Sequence, residues 1–235
     1  MSYPDLNLMQ LQAEALFVQD TDGKLFRINE PEPDPPSPAP HFFLGRTRAG
    51  HVWRTRYDLP DDIATALGRL ASVEPVTNDL YEPPLYAARY IELLKPHAPQ
   101  VTINAGPAYT LPVMEMPPNV VEITSENRNL VQAHFAWLYA TLAVYAPVIA
   151  AVVDGNAVAV CFCSRITPTV AEAGVYTETS YRGHGYATKV VQGWAAALRS
   201  TGRLPLYSTS WSNHASQAIA RKLNAVQYGA DYSLI

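Results

Sequence analysis

The stretch Arg182-Gly183-His184-Gly185-Tyr186-Ala187-Thr188 could bind a phosphate, because two glycines stand between a strand-like run and a helix-like one. Residues 171–179, with Val175, Tyr176 and Thr177, read as a strand. From Tyr186 onward, Ala187, Val190, Val191, Trp194, Ala195 and Leu198 recur at the spacing of one helical stripe. The first amides of such a helix have no intrahelical partner, and its dipole leaves partial positive charge there, which favours a diphosphate. Gly183 and Gly185 can take positive φ without a side chain in the way, so the backbone can curl its N–H groups around an oxyanion. Glycines in such a connection also serve chain reversal alone.

The order of residues favours the first of these readings. Arg182-Gly183-His184-Gly185-Tyr186-Ala187 resembles the acyl-CoA motif of the GNAT superfamily of N-acetyltransferases, which runs Arg or Gln, any, any, Gly, any, Gly or Ala. The resemblance extends through the strand-like residues 204–210, Asn213-His214-Ala215-Ser216 and Arg221-Lys222-Leu223. In that superfamily an Asn opens the last helix near the pantetheine arm, and a Lys-Leu-Gly-Phe run closes it. Here Asn224 and Ala225 replace Gly and Phe, and Asn also tolerates the left-handed turn of a helix C-cap. The similarity covers roughly the last half of the chain. It implies an α+β fold with a mixed central sheet flanked by helices over residues 117–235, to which residues 1–116 add an N-terminal α+β region.

The same resemblance implies the chemistry. An acetyl group passes from a thioester to an amine by direct attack when the amine is neutral and the carbonyl polarised. The strand before the phosphate turn and the one at 204–210 would splay, letting pantetheine insert between them. Backbone groups of Val175 and Thr177, with Tyr176 between, would then bond its amides. Gly183, Gly185, Tyr186, Ala187 and Thr188 would hold the diphosphate with Arg182 and His184, and Asn213 and Ser216 would lie near the arm. A backbone N–H in the same strand could polarise the carbonyl.

Glu172 resembles the strand glutamate that acts as general base in many members. Alternation puts Glu172, Gly174, Tyr176 and Glu178 on one face, which leaves Glu178 as a rival. Desolvation among Ala and Val would make Glu172 hold a proton more tightly, as suits a base working near neutral pH. The leaving thiolate, of pKa about 8.5 if it behaves as cysteine does, needs little help. Many members protonate it with a tyrosine seven residues after the Asn. That position is Ala220, so Ser216 either bonds the sulfur or caps the helix. Tyr228, Tyr232 and His214 are further candidates of less specific pattern. The cosubstrate implied is acetyl-CoA, with CoA as product, and the acceptor is an amine of a small molecule or peptide. The rival functions are a non-catalytic acyl-CoA-binding module and a structural or dimerisation protein retaining the fold.

Composition bounds the rest. The 235 residues can bury a substantial core, and a formal net charge of −4 without a clustered basic face argues against nucleic acid. The start Met1-Ser2-Tyr3-Pro4-Asp5 lacks a signal-peptide pattern, and Pro147 and Asp154-Gly155-Asn156 interrupt the most apolar stretch. A cytoplasmic monomer or homodimer without membrane contact is expected. Cys161 and Cys163, the two cysteines, share one strand face and read as buried packing, with no metal site.

Upstream, residues 15–18 and 24–28 read as a hairpin around Asp22-Gly23, and residues 31–40 as a proline-rich polyproline II spacer. Residues 42–46 and 52–57 read as strands joined through Ala49-Gly50, followed by helices after Pro60 and over 84–94. Strands are expected at 109–114 and 120–123, a helix from Ser125 to about Val144, then strands at 148–153, 157–163 and 170–177. A boundary falls near Pro117-Pro118.

Overall fold

A computed structural model describes residues 3–31 and 35–235. Its contacts divide the chain into two compact units, one of residues up to Tyr109 with Ser208–Gln217 and Gln227–Ile235, the other of Thr110–Tyr207 with Ala218–Val226.

The first unit opens with α1 (Asp5–Leu16), then β1 (Phe17–Gln19) and β2 (Leu25–Ile28), an antiparallel pair. The expected hairpin therefore exists, but residues 15–16 belong to a helix that the sequence reading did not anticipate. Pro4 sets its entry and Asp5 suits its N-terminal dipole. Residues 32–34 of the proline run lie outside the described residues. Its far end is anchored, since the Ile28 amide donates to the Ser37 carbonyl at 2.9 Å.

Strands β3 (Phe42–Thr47) and β4 (Gly50–Thr55) form a hairpin whose turn is Arg48-Ala49, one residue earlier than read, because Thr47 pairs with Gly50. Helices α2 (Asp61–Ser72) and α3 (Ala87–Leu94) follow, then β5 (Ile103–Thr110). The C-terminal strand β11 (Val226–Leu234) pairs antiparallel with β3, giving the order β4-β3-β11-β5. Phe42, Leu44, Tyr232 and Leu234 meet Leu67, Tyr90 and Leu94 in one apolar layer. Met9 of α1 takes the other face, where a Cβ on Gly45 or Gly229 would overlap it.

The second unit contains β6 (Val121–Ile123), α4 (Ala136–Thr141), β7 (Val148–Val153), β8 (Asn156–Ile166), β9 (Val170–Thr177), α5 (Tyr186–Ser200) and β10 (Leu204–Ser208). Their order is β10-β9-β8-β7-β6, with β6 through β9 antiparallel and β10 parallel to β9. The β7–β8 turn uses positive φ at both Asp154 (48°) and Gly155 (77°), as a two-residue hairpin of this hand requires. A parallel neighbour requires a crossover, and α5 supplies it. Its stripe of Val190, Val191, Trp194, Ala195 and Leu198 is fully buried.

Two further expectations need correction. The helix expected from Ser125 to Val144 is a 3-10 turn at Arg128–Val131 followed by the short α4. Asn127 binds the Thr124 amide and the Glu122 carbonyl, and Phe135 leaves helical geometry at φ −134° while burying its ring with Val131 and Leu138. The strand expected at 109–114 instead runs Ile103–Thr110, through Gly106 and Pro107, which read as breakers. Both have a use. The Pro107 carbonyl accepts the Thr209 amide at 3.2 Å, and a Cβ on Gly106 would overlap the Thr209 carbonyl oxygen.

Because that overlap is with backbone, no rotamer relieves it. Gly106→Ala should destabilise the protein by about 3 kcal/mol or more, read from the denaturation midpoint, whereas Gly155→Ala, where added atoms meet nothing within 4 Å, should cost only the strain of its positive φ, about 1–2 kcal/mol.

Candidate functional site

Strand β9 is paired over its length on one side only. Its antiparallel partner β8 runs opposite it to Ala159↔Thr177, whereas the parallel register with β10 comprises Leu204↔Val170, Pro205↔Ala171 and Leu206↔Glu172. The Glu178 amide donates to Val158 at 2.9 Å, so by strand alternation Tyr176 also faces β8, and the N–H and C=O of Val175 and Thr177 face the opposite edge. The sequence reading named these same two residues.

Beyond β9 the chain turns through a 3-10 segment, Thr179–Tyr181, into Arg182 and the two glycines. Gly183 and Gly185 both have φ +81°, and a Cβ on either would meet nothing within 4 Å. Gly185 is the N-cap of α5, and the first amide to reach back is Lys189, at 3.4 Å from the Gly185 carbonyl. The amides of Tyr186, Ala187 and Thr188 thus belong to the turn whose donors have no intrahelical acceptor. Arg182 and His184 are exposed, and the His184 ring is fixed by its Nδ1, 2.9 Å from the Arg182 carbonyl. Positive φ at two glycines, open space before them and a fifteen-residue helix behind form a concave set of donors suited to an oxyanion.

The carboxylates differ in setting. Glu172 is buried, 3% exposed, and sits opposite Arg165 in the β8–β9 register, just past a bulge at Ser164. Glu178 has a side chain 35% exposed with His134 Nδ1 3.9 Å away. Between them the β9 face is aromatic. Phe162 lies across Gly174, where a Cβ would stand 2.5 Å from its ring. Tyr176, 57% exposed, stacks on Phe162 at 5.8 Å, and Trp137 meets both at 5.1 and 6.1 Å. The sequence reading missed His134 and this aromatic group. Gly174 was the available signal, since a glycine inside a strand often marks a close approach.

The last helix, α6 (His214–Lys222), begins in the first unit. Asn213 Oδ1 accepts the Ser216 amide at 3.0 Å, so Asn213 is the N-cap and Ser216 the third helical residue. Asn213 therefore holds the N-cap position itself, and Ser216 lies within the first turn of the helix. Ala220 is buried, and Asn224 takes the left-handed φ of 53° expected of a C-cap. Tyr228 donates to Gln12 at 2.6 Å within the core and Tyr232 is 3% exposed, which makes both packing residues. His214 is exposed.

A model of the acetyltransferase (GNAT) domain matches residues 107–226, just over half the chain. The chain belongs to the GNAT acetyltransferase family. Membership of this acyl-CoA-dependent acetyltransferase family agrees with the mixed sheet and flanking helices seen here. No curated protein matches the chain at a significant level. Among solved structures, a GNAT-family protein from Novosphingobium aromaticivorans is 18% identical over 57% of this chain and 66% of that one, with a TM-score of 0.43. A GCN5-related N-acetyltransferase-like protein from Streptococcus suis is 14% identical over 85% of each chain, TM-score 0.48. An acetyltransferase of the GNAT family from Colwellia psychrerythraea is 13% identical over 78% of this chain and 76% of that one, TM-score 0.45. This chain thus spans just under two thirds of the Novosphingobium protein. Among the described residues no helix is long and apolar enough to cross a membrane.

The Asn213 cap gives a direct stability test. Asn213→Ala removes the acceptor for the Ser216 amide and should cost about 1 kcal/mol in chemical denaturation, while Asn213→Asp, which keeps the acceptor, should cost little.

Proposed function

We propose that the protein is an acyl-CoA-dependent N-acyltransferase that transfers acetyl from acetyl-CoA to a primary amine of a small molecule or peptide, with catalysis assigned to residues 117–235. The observation that carries this reading is the edge of β9 beyond Glu172, lying next to a two-glycine turn at a helix N-terminus. The donors of residues 183–188 suit the diphosphate. The edge groups of Val175 and Thr177 suit the pantetheine amides, which would add to β9 as a strand does. Asn213 and Ser216 remain assigned to the arm and thiol, by resemblance.

Chain polarity supports Glu172 as the general base. Six residues of strand separate Glu172 from Glu178, about 20 Å at about 3.3 Å per residue, so one amine cannot touch both. With the diphosphate at the turn, the Glu178 end of β9 lies beside the phosphates, and the thioester, at the far end of the arm, falls near Glu172. Glu172 would take the ammonium proton, directly or through water, and the neutral amine would attack the thioester carbonyl. The bond to nitrogen forms as the carbon–sulfur bond breaks, and the proton lost by nitrogen balances the one the thiolate gains on leaving. Glu178 is the second reading, favoured by its exposure and by His134 at 3.9 Å.

Calorimetry with CoA should give a micromolar or tighter Kd, about −8 kcal/mol. Gly185→Val, which strains the positive φ and projects into the space before the turn, should weaken it about tenfold. Folded wild-type protein without CoA binding would refute the reading, and binding without transfer to any amine would reduce it to an acyl-CoA-binding module.

In steady-state assays Glu172→Gln should lower kcat by roughly 10² to 10⁴ with CoA affinity nearly unchanged, and the loss should shrink as pH rises and more amine is already neutral. The same loss in Glu178→Gln, with none in Glu172→Gln, transfers the role to Glu178.

A further inference from the structure

Three side chains in the first unit converge without a part in the acyl-transfer reading. His41 directly precedes β3, Asp58 lies in the turn after β4, and His97 follows α3. Their ligand atoms all lie within 4.8 Å of one another, and the two imidazoles meet edge to face at 5.4 Å between ring centres. Backbone contacts hold these positions. The Arg56 amide donates to the His41 carbonyl at 2.9 Å, and the His97 amide donates to the Leu94 carbonyl at 2.9 Å, fixing the turn that ends α3.

An ordinary ion pair accounts for part of the group. Arg56 clasps Asp58 through Nε at 2.7 Å and Nη2 at 3.1 Å, and donates to the Ala39 carbonyl at 3.1 Å. It does not account for the histidines. Arg56 Nη2 stands 3.5 Å from His41 Nε2, while His41 Nδ1 is buried with no hydrogen-bond partner among the described residues. Arg56 can only donate, so Nε2 holds the lone pair and Nδ1 the proton; the long Arg56 contact leaves that lone pair weakly used, and a metal ion can take it in place of Arg56.

We infer that His41, Asp58 and His97 form a binding site for a divalent transition metal of the zinc type, which ties together three segments far apart in sequence. Two imidazoles and one carboxylate are a borderline donor set that suits Zn²⁺, with a fourth position left to water. Zinc–nitrogen bonds near 2.0–2.1 Å place tetrahedral ligands about 3.3 Å apart, so the cluster closes on binding. The exposed turn of Asp58 allows that closure. The Arg56 charge opposes the ion, so the site is weaker than the same triad without it. Nothing in this inference depends on the acyltransferase reading.

The test is titration of the intact, metal-stripped protein with Zn²⁺ by calorimetry, and with Co²⁺ for the visible absorption of a tetrahedral site. One equivalent should bind, and Tm should rise with zinc. His97→Ala and Asp58→Asn should each weaken binding by about tenfold or more, since loss even of a group behind a ligand costs 10–100-fold. Arg56→Gln should tighten it. Circular dichroism establishes that the variants are folded, and two independent ligand variants guard against one failing to fold. Wild-type protein that takes up no zinc, or folded His97→Ala and Asp58→Asn that bind it as tightly as wild type, overturns the inference.

Discussion

The parallel ladder between β9 and β10 is three pairs long, and the arrangement of the second unit follows from that shortness. A longer ladder would consume the edge groups of Val175 and Thr177 in the sheet and leave nothing for a ligand to pair with. The Leu204 amide donates to the Thr169 carbonyl at 2.9 Å, so by alternation Pro205 turns its nitrogen away from β9 and its missing amide takes nothing from this ladder. On the antiparallel side β8 and β9 remain paired through Thr177. One edge of β9 is therefore rigidly backed while the other has no strand beside it past Glu172, only the exposed Arg182 reaching the Thr177 carbonyl at 3.4 Å, and the polar groups on that edge are fixed in direction before any ligand arrives. Preorganised donors of this kind avoid the cost of ordering them on binding.

Glycine marks the places where backbone must come close to something. Gly183 and Gly185 supply left-handed turns with open space in front, Gly174 lets Phe162 lie across β9, and Gly106 admits the Thr209 carbonyl. These are different physical reasons, and only the first belongs to the turn motif. At Gly174 the consequence is chemical as well as structural. The Phe162 ring brings Tyr176 and Trp137 together on the face of β9 that alternation assigns to Glu172, so on the proposed reading an amine approaching along that face would pass aromatic rings. Such rings favour a cation, and the nucleophile must be neutral. In the proposed reaction Glu172 would then act at the end of that path.

The turn, the α5 stripe and the Asp154-Gly155 hairpin were legible because each rests on local rules of glycine φ or helical period, whereas Val175 and Thr177 were singled out by family resemblance. The short β9–β10 ladder was not readable from spacing and entered only through family resemblance. What failed was non-local. Helix α1 hides a fully buried Gln12 among its apolar residues, where it binds Asp231 and Tyr228, so its inward face does not look apolar in sequence. The pattern of residues 125–144 was helical enough, but the side-chain bonds of Asn127 and the inward turn of Phe135 broke it into two pieces. Strand β5 contains Gly106 and Pro107, which local rules count against a strand. Only the close approach of residue 209 shows why they are there.

The cysteines bear on the order of chemical events. Acyl transfer can proceed by direct attack or through an acyl-enzyme, and the second route needs a nucleophile with appreciable thiolate or alkoxide character. Cys161 is completely buried, and burial pushes its thiol well above the usual range, with the neighbouring Cys163 adding to the effect. Burial likewise raises Cys163 to about 11, against a smaller opposing contribution from Trp194, and its Sγ donates to the Ala146 carbonyl at 3.2 Å. Both thiols therefore stay protonated at neutral pH, and neither is open to a thioester. With cysteine removed as an acyl carrier, the proton on an amine acceptor would be the principal obstacle in the proposed reaction. On the reading proposed above, a buried carboxylate at the point where β9 and β10 part company would serve better than a nucleophile, because it would remove that proton without entering a covalent intermediate.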